Sequence, residues 1–172
     1  TNLEGLDLNN NRLTSLSVVN LKKLKVLYAG NQRDSNNNKI LKSLTLPDSN
    51  ALTNLHVGNN LLTELNLKNY TNLTELYANN NSIKELNLGY NSNLNTIEIS
   101  SKELNILSLK NIKSLTSTTL NNIIEKCPNL QKLLLNKNDK ISSILISGTN
   151  LKSIYLGQQT NLKSVTIRSN PN

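Results

Sequence analysis

The sequence predicts a solenoid, in which the chain winds into short turns that stack on one another. An LxxLxL pattern recurs along all 172 residues and restarts every 21 residues in most repeats. The chain contains no Phe, Trp or Met. We therefore expect a core of Leu, Ile and Val, built up layer by layer from turns that bury one another.

Each repeat is expected to form two extended walls. The last two apolar residues of LxxLxL are two positions apart, so in a strand they point to the same face. One turn cannot bury them, but turns stacked about 4.8 Å apart form a continuous aliphatic core. The first-wall segments begin at Leu3, Leu24, Leu52, Leu73, Leu94, Leu115, Ile141 and Leu162. The second-wall segments begin at Leu13, Leu41, Leu62, Ile83, Leu104, Leu130 and Leu151.

Two repeats are longer than 21 residues, and both carry their extra residues in the first wall. The 28-residue interval contains a polar stretch that predicts an inserted loop over 31–38. The 26-residue interval predicts a short helix near 118–127 that ends at Pro128. The helix prediction rests on apolar residues at i, i+3, i+4 and i+7, namely Leu120, Ile123, Ile124 and Cys127.

The sequence gives two opposing indications of which wall is concave. A helix would interrupt a concave sheet, and the second-wall segments keep a constant length, which favours the second wall. The asparagine of LxxLxLxxNxL favours the first wall instead. We expect the second wall to be the concave one.

Asparagine recurs at the bend that follows the first wall, at Asn11, Asn60 and Asn81. The chain leaves the strand here, so backbone amides lose their partners. An asparagine side chain can hydrogen-bond the backbone of adjoining turns. We therefore expect a structural ladder at these positions rather than a binding site.

These motifs resemble leucine-rich repeats, and the resemblance covers essentially the whole chain. The 21-residue period, with Ala29 and Ala78 in the third position, is similar to repeats of internalin-type bacterial surface proteins, although the cysteine common in those repeats is absent. The unit from Leu104 to Leu130, which contains Cys127-Pro128, resembles the cysteine-containing repeats of F-box-type proteins. The resemblance implies a right-handed coil with a parallel β-sheet wall and a second wall of short strands and irregular turns.

The residues give little basis for catalysis. His56 and Cys127 are the only histidine and cysteine, and they belong to turns that lie apart. Cys127 falls on the apolar stripe of the expected helix, which predicts a packed, unreactive thiol. The glutamates belong to different turns, and no nucleotide, metal or nucleophile motif is present. The sequence therefore predicts no enzyme, no cofactor and no metal site.

Solvent-facing residues at equal repeat positions should stack into stripes. The middle residue of LxL in the first wall gives Asp7, Tyr28, His56, Tyr77 and Glu98. Three rings flanked by acids are a candidate contact strip, because aromatic side chains supply much of the energy at protein interfaces and also stack on sugars. The competing interpretation is cross-strand ring packing that only shields the sheet.

The equivalent stripe of the second wall is mostly small and polar, and it predicts a flat hydrogen-bonding face. Its candidate contact residues are Asn66, Asn87 and Tyr155. Such a face suits a protein or a polar glycan better than an apolar ligand.

The leading hypothesis is a non-catalytic binding or adhesion module that recognises a protein partner through a rigid repeat surface. A glycan or anionic polymer is one alternative, and a structural spacer arm is another. The net charge is +8, and residues 101–172 carry 10 basic against 3 acidic side chains, but no RNA-binding motif supports a nucleic acid partner.

The resemblance implies a secreted or bacterial cell-surface location, with a cytoplasmic adaptor as the alternative. No apolar run is long enough to span a membrane. We expect residues 1–172 to form a single repeat domain of seven to eight turns within a longer chain. No polar cap is recognisable at Asn170–Asn172, so end-to-end self-association or further domains are also expected.

Overall fold

The computed structural model describes residues 1–170 as two walls of short parallel strands. The first wall comprises β1 (Gly5–Asp7), β3 (Val26–Tyr28), β5 (Asn54–His56), β6 (Glu75–Asn81), β8 (Thr96–Ser101), β11 (Ser143–Ser147) and β13 (Ser164–Arg168). The second wall comprises β2 (Ser15–Ser17), β4 (Ser43–Thr45), β7 (Glu85–Asn87), β9 (Ile106–Ser108), β10 (Lys132–Leu134) and β12 (Ser153–Tyr155). One helix, α1 (Ser117–Glu125), lies between β9 and β10 in the chain.

The first-wall register confirms the predicted stacking. Strands β1, β3, β5, β6 and β8 form one sheet in that order, and every pair is parallel. The same apolar position of each repeat therefore stands beside its counterpart in the next, giving the row Leu6, Leu27, Leu55, Leu76 and Ile97. Three of these side chains, those of Leu27, Leu55 and Leu76, are fully buried.

Helix α1 takes the place of a first-wall strand, as predicted. It packs between β8 and β11, and the first wall resumes beyond it as the pair β11–β13. Thr116 caps its N-terminus by accepting a hydrogen bond from the backbone N–H of Thr119 at 3.2 Å. The helix ends earlier than expected, so Cys127 lies in the turn beyond it and not on its apolar stripe.

The second wall consists of short strands in two separate sheets, in keeping with the expected short strands and irregular turns. Strands β2 and β4 pair with each other, and β7, β9, β10 and β12 form a separate sheet. Residues 63–67, which we call the seam, form no strand between β4 and β7.

Hydrogen bonds between turns define the seam. Beside the intact strands, the residue after each strand donates to the next turn: Val18 to Thr45, Leu88 to Ser108 and Leu109 to Leu134, each at 2.9 Å. Among the described residues, the equivalent backbone bonds from Leu46 to Asn66 and from Leu67 to Asn87 do not form. Each wall is therefore interrupted once, and the assignment of the concave face to the second wall stays a prediction.

The asparagine ladder is present and ties successive turns together. The Asn60 amide nitrogen donates to the carbonyls of Ala29 (2.9 Å) and Val57 (3.0 Å), and its Oδ1 accepts from the N–H of Gln32 at 3.1 Å. Asn81 repeats this arrangement one turn later, and its Oδ1 accepts from the N–H of Leu62. These side chains supply partners for buried backbone groups that the strands leave unpaired.

The inserted loop is shorter than predicted, because Gln32 belongs to the ladder. Gln32 is fully buried. Its side chain donates to the Leu8 and Gly30 carbonyls and accepts from the N–H of Leu13. The loop proper is closed by a bridge between Arg33 and Lys39. The Gln32 side chain is long enough to reach the kind of backbone groups that asparagine binds elsewhere in the ladder. The loop-like composition of the segment gave no indication of this.

A second column of asparagines makes the turns themselves. Asn10, Asn31, Asn59 and Asn80 all have φ between 56° and 58°. This left-handed conformation is costly for most side chains but tolerated by asparagine. The chain therefore turns at the ends of β1, β3, β5 and β6 without a glycine in that conformation, whereas Gly148, with φ of 66°, follows β11.

The last described strand, β13, is more exposed than β11, the strand with which it pairs. Val165 and Ile167 of β13 are 40% and 49% exposed, because a neighbouring turn covers that strand on one side only. Pro171 and Asn172, part of the segment for which no polar cap was recognised, lie outside the described residues.

The described part of the chain contains no helix with the length and apolar character that a bilayer crossing requires.

Truncating a side chain in the apolar row should destabilise the whole stack. We expect Leu76→Ala to lower the free energy of unfolding by about 2–5 kcal/mol, because a fully buried leucine leaves a cavity. Leu145→Ala is the matched control, since Leu145 is 40% exposed and should cost less than about 1 kcal/mol. Urea unfolding followed by circular dichroism measures both, and equal losses would contradict the register.

The ladder predicts a similar contrast between asparagines. Asn60→Ala should cost about 2–4 kcal/mol, because it leaves the buried N–H of Gln32 and the carbonyl of Ala29 without partners, while the Val57 carbonyl keeps its bond from Asn81. Asn11→Ala should cost less than about 1 kcal/mol, because Asn11 makes its two bonds at an exposed position. The same unfolding measurement applies, and a harmless Asn60→Ala variant would refute the structural role of the ladder.

Candidate binding surfaces

The predicted contact strip exists as a continuous row on the first wall. Asp7, Tyr28, His56, Tyr77 and Glu98 are neighbours in the strand register, in that order. The His56 ring lies 4.3 Å from each tyrosine ring, centroid to centroid, with interplanar angles of 33° and 48°. All three ring residues are half-buried, whereas Asp7 and Glu98 are exposed. The three rings therefore pack side by side on a rigid sheet, between two exposed carboxylates.

The polar groups of the strip are only partly engaged. His56 Nε2 lies 3.3 Å from Glu75 Oε2, so this carboxylate orients the imidazole ring. The hydroxyl groups of Tyr28 and Tyr77 have no hydrogen-bond partner among residues 1–170. Because the ring faces within the row pack against one another, the strip offers a partner mainly ring edges, hydroxyl groups and the two terminal carboxylates.

The second wall carries a groove rather than the flat face that was expected. It has a volume of about 500 Å³ and lies beside the seam. Its lining includes the exposed Asn66 and Asn87 and the buried Ser108, and it extends to Leu134. Asn87, Ser108, Leu134 and Tyr155 are neighbours in the strand register, but Asn66 belongs to the seam and has no strand partner. The seam converts part of the polar stripe into a depression.

The floor of the groove presents hydrogen-bond donors. Asn66 Oδ1 accepts from the N–H of Lys68 at 3.2 Å, and Asn87 Oδ1 accepts from the N–H of Gly89 at 3.0 Å. Since the oxygen of each amide is engaged, the nitrogen remains to face a ligand. Neither amide nitrogen donates to another described residue.

Tyr155 was a candidate contact residue from the sequence, but the lysines that accompany the tyrosines of this wall were not. Lys68 lies over the ring of Tyr90 at 5.6 Å, and Lys132 lies over the ring of Tyr155 at 5.3 Å, both within range of cation–π attraction. Tyr90 and Tyr155 are 48% and 54% exposed, so they expose large rings on this wall. Lysine recurs at second-wall positions in the sequence and could have indicated this site. The pattern does not stand out, because the whole chain is basic.

The remaining candidates contribute packing rather than chemistry. Burial raises the pKa of the Cys127 thiol, so the reactive thiolate is disfavoured. Tyr70 is buried, and its hydroxyl donates to the Pro47 carbonyl at 2.8 Å. Residues 1–170 contain no group of three histidine, cysteine or carboxylate side chains placed to hold a metal ion.

A larger cleft lies at the bends that follow the first wall. It has a volume of about 740 Å³ and is lined by Asn79, Asn80 and Ser100, among others. The Lys39 ammonium enters it and donates to the Asn80 carbonyl at 2.5 Å. Burial and the neighbouring Arg33 lower the pKa of Lys39. This cleft is therefore partly occupied by the chain itself.

The sequence matches no known protein-family model and no curated protein sequence. Among solved structures, the chain is similar to one described as the functional domain of InlJ from Listeria monocytogenes, which includes a cysteine ladder. The identity is 20% and the TM-score 0.34, with 98% of this chain and 44% of that chain covered. This chain contains a single cysteine, and its ladder is built from asparagine and glutamine. Its own strand register establishes a leucine-rich repeat solenoid of about eight turns, with parallel sheets and one short helix.

Proposed function

We propose that the chain is a non-catalytic binding module that recognises a protein partner through the contact strip on the first wall. The observation that carries this proposal is the row of three packed rings on a continuous five-stranded sheet. A rigid sheet holds the rings in place before binding, so little conformational entropy is lost on association. Aromatic side chains in such positions are the residue types that dominate binding energy at protein interfaces.

The charges at the ends of the strip favour a partner with basic groups. Asp7 and Glu98 are exposed, and neither forms an ion pair with a described residue. The whole chain carries a net charge of +8, so the strip is an acidic site on a basic molecule. Complementary charges at the rim mainly raise the association rate and select the partner.

Glycan binding at the strip has less support. A sugar ring stacks on the face of an aromatic ring, and the inner faces of Tyr28 and Tyr77 are covered by His56. The spacer-arm hypothesis requires no contact surface at all, and the same experiment tests it. The 21-residue repeats further support the proposal that the module acts at a bacterial cell surface.

The rings can be removed without removing the fold. Tyr28→Ala/Tyr77→Ala should abolish capture of the partner by the intact protein, measured by cross-linking and pull-down. The same variant should lower stability by only about 1–2 kcal/mol, since cross-strand ring pairs contribute about 0.2–1 kcal/mol each. Val19→Ala/Leu145→Ala is the control, because it truncates two apolar side chains that are each 40% exposed and lie outside both the contact strip and the second-wall groove.

The outcome separates recognition from ring packing. Loss of every captured protein in the first variant, with retention in the control, supports the proposal. Unchanged capture in both variants would assign the rings to shielding of the sheet and place recognition elsewhere, whereas no capture by the wild-type protein would favour the spacer arm. Tyr28→Phe/Tyr77→Phe then shows whether the hydroxyl groups or the rings make the contact.

A further inference from the structure

We propose that the second-wall groove is a separate docking site for an acidic, extended segment of polypeptide. The proposal concerns a different wall from the contact strip and does not depend on it. It rests on the distribution of charge along the second wall, on the donor-rich floor of the groove and on two apolar side chains within it.

Lysine is the only charged residue type in the last three segments of the second wall. Residues 104–112, 130–138 and 151–159 contain no carboxylate and four lysines. These are Lys110, Lys132, Lys137 and Lys152. None of them forms an ion pair with a described carboxylate. Lys132 lies in β10, and Lys110, Lys137 and Lys152 lie in the segments that flank β9, β10 and β12, so these turns carry positive charge with no carboxylate in the same segment.

The groove floor selects hydrogen-bond acceptors. The free amide nitrogens of Asn66 and Asn87 and the hydroxyl of Ser108 face it, and Lys68 and Lys110 form one side. Carboxylates and peptide carbonyls are acceptors without donors of their own, so they match this lining. Hydrogen bonds between a carboxylate and an ammonium are the stronger kind.

The apolar lining favours a polypeptide over a polyanion such as a sulfated glycan. Ile106 and Leu134 are half-buried in the groove, and Leu134 stands beside Tyr155 in the register. These side chains can pack against an aliphatic residue of the ligand. A uniformly charged polymer offers no such residue, and placing its charged groups against them would cost desolvation energy. An acidic segment with interspersed aliphatic residues meets both requirements.

Charge also gives the groove a direction. Glu64, Glu85 and Lys68 line the turns nearest the seam, whereas Lys110 and Lys132 line the two turns beyond, which add no carboxylate to the lining. The groove is therefore more positive at the end near Lys110 and Lys132, and a carboxylate of the ligand is attracted most strongly there. The row from Asn87 to Tyr155 spans three strand steps, or about 14 Å, which corresponds to about four extended residues.

The test uses a fluorescein-labelled seven-residue peptide of alternating glutamate and leucine, titrated with the full chain and followed by fluorescence anisotropy. We expect saturable binding. It should weaken at least about tenfold when glutamine replaces glutamate, because the peptide then lacks the negative charges that the groove lysines attract. A peptide with lysine in place of glutamate should not bind. Heparin and polyglutamate serve as polyanions without apolar side chains.

Protein variants locate the site. Lys110→Glu/Lys132→Glu should weaken peptide binding by at least about tenfold. Lys22→Glu/Lys23→Glu makes the same change of net charge on the first turns and should leave binding within about twofold. Leu134→Asn should weaken binding of the glutamate–leucine peptide while leaving that of polyglutamate unchanged.

Three results would overturn the proposal. Equal losses in the two lysine variants would show non-specific attraction to a basic molecule. Tighter binding of heparin than of the peptide, with no effect of Leu134→Asn, would assign the groove to an anionic glycan. No binding by the wild-type chain, with its circular dichroism intact, would show that the groove does not accept acidic polypeptide. None of these results bears on the contact strip.

Discussion

Every turn of this solenoid depends on the adjacent turn, because a 21-residue turn is too small to bury its own apolar side chains. Leu55 is fully buried only because Leu27 and Leu76 stand on either side of it. Backbone hydrogen bonds obey the same rule, since first-wall amides donate to adjacent turns: Ala29 donates to His56 of the next turn and Thr53 to Lys25 of the preceding one. The structure is therefore stabilised along one dimension, and a surface on either wall inherits its rigidity from that stacking.

At the bends between strands, backbone groups lose their strand partners and the chain must reverse direction. Polar side chains meet both requirements. Asn60 and Asn81 hydrogen-bond buried carbonyls of two successive turns. Asn59 and Asn80, one residue earlier, adopt the left-handed conformation that reverses the chain. Adjacent asparagines thus perform two different tasks, one through the side chain and one through the backbone. This division explains why asparagine is abundant without forming a binding site.

The sequence predicted what depends on periodicity and missed what depends on side-chain reach. The row of first-wall leucines and the alignment of Tyr28 with His56 follow from the recurrence of the LxxLxL pattern, and the replacement of a strand by α1 follows from apolar residues at helical spacing. The burial of Gln32 could not be predicted from composition, because its neighbours are typical of a loop. The seam was also missed, since the segment containing Leu65 has the same apolar pattern as its paired neighbours, and only the absence of inter-turn bonds distinguishes it.

The two walls present different surfaces because they are interrupted at different places: the first is continuous where the rings pack, and the second opens into a groove. Residue-resolved amide hydrogen exchange tests the stacking that produces both. Val57 and Leu88 donate to the next turn at 2.8 and 2.9 Å, so their amides should exchange slowly. Leu46 and Leu67 occupy the equivalent positions at the seam, and their amides should exchange at least about a hundredfold faster. Rapid exchange at Val57 and Leu88, or equal protection at all four amides, would contradict this description.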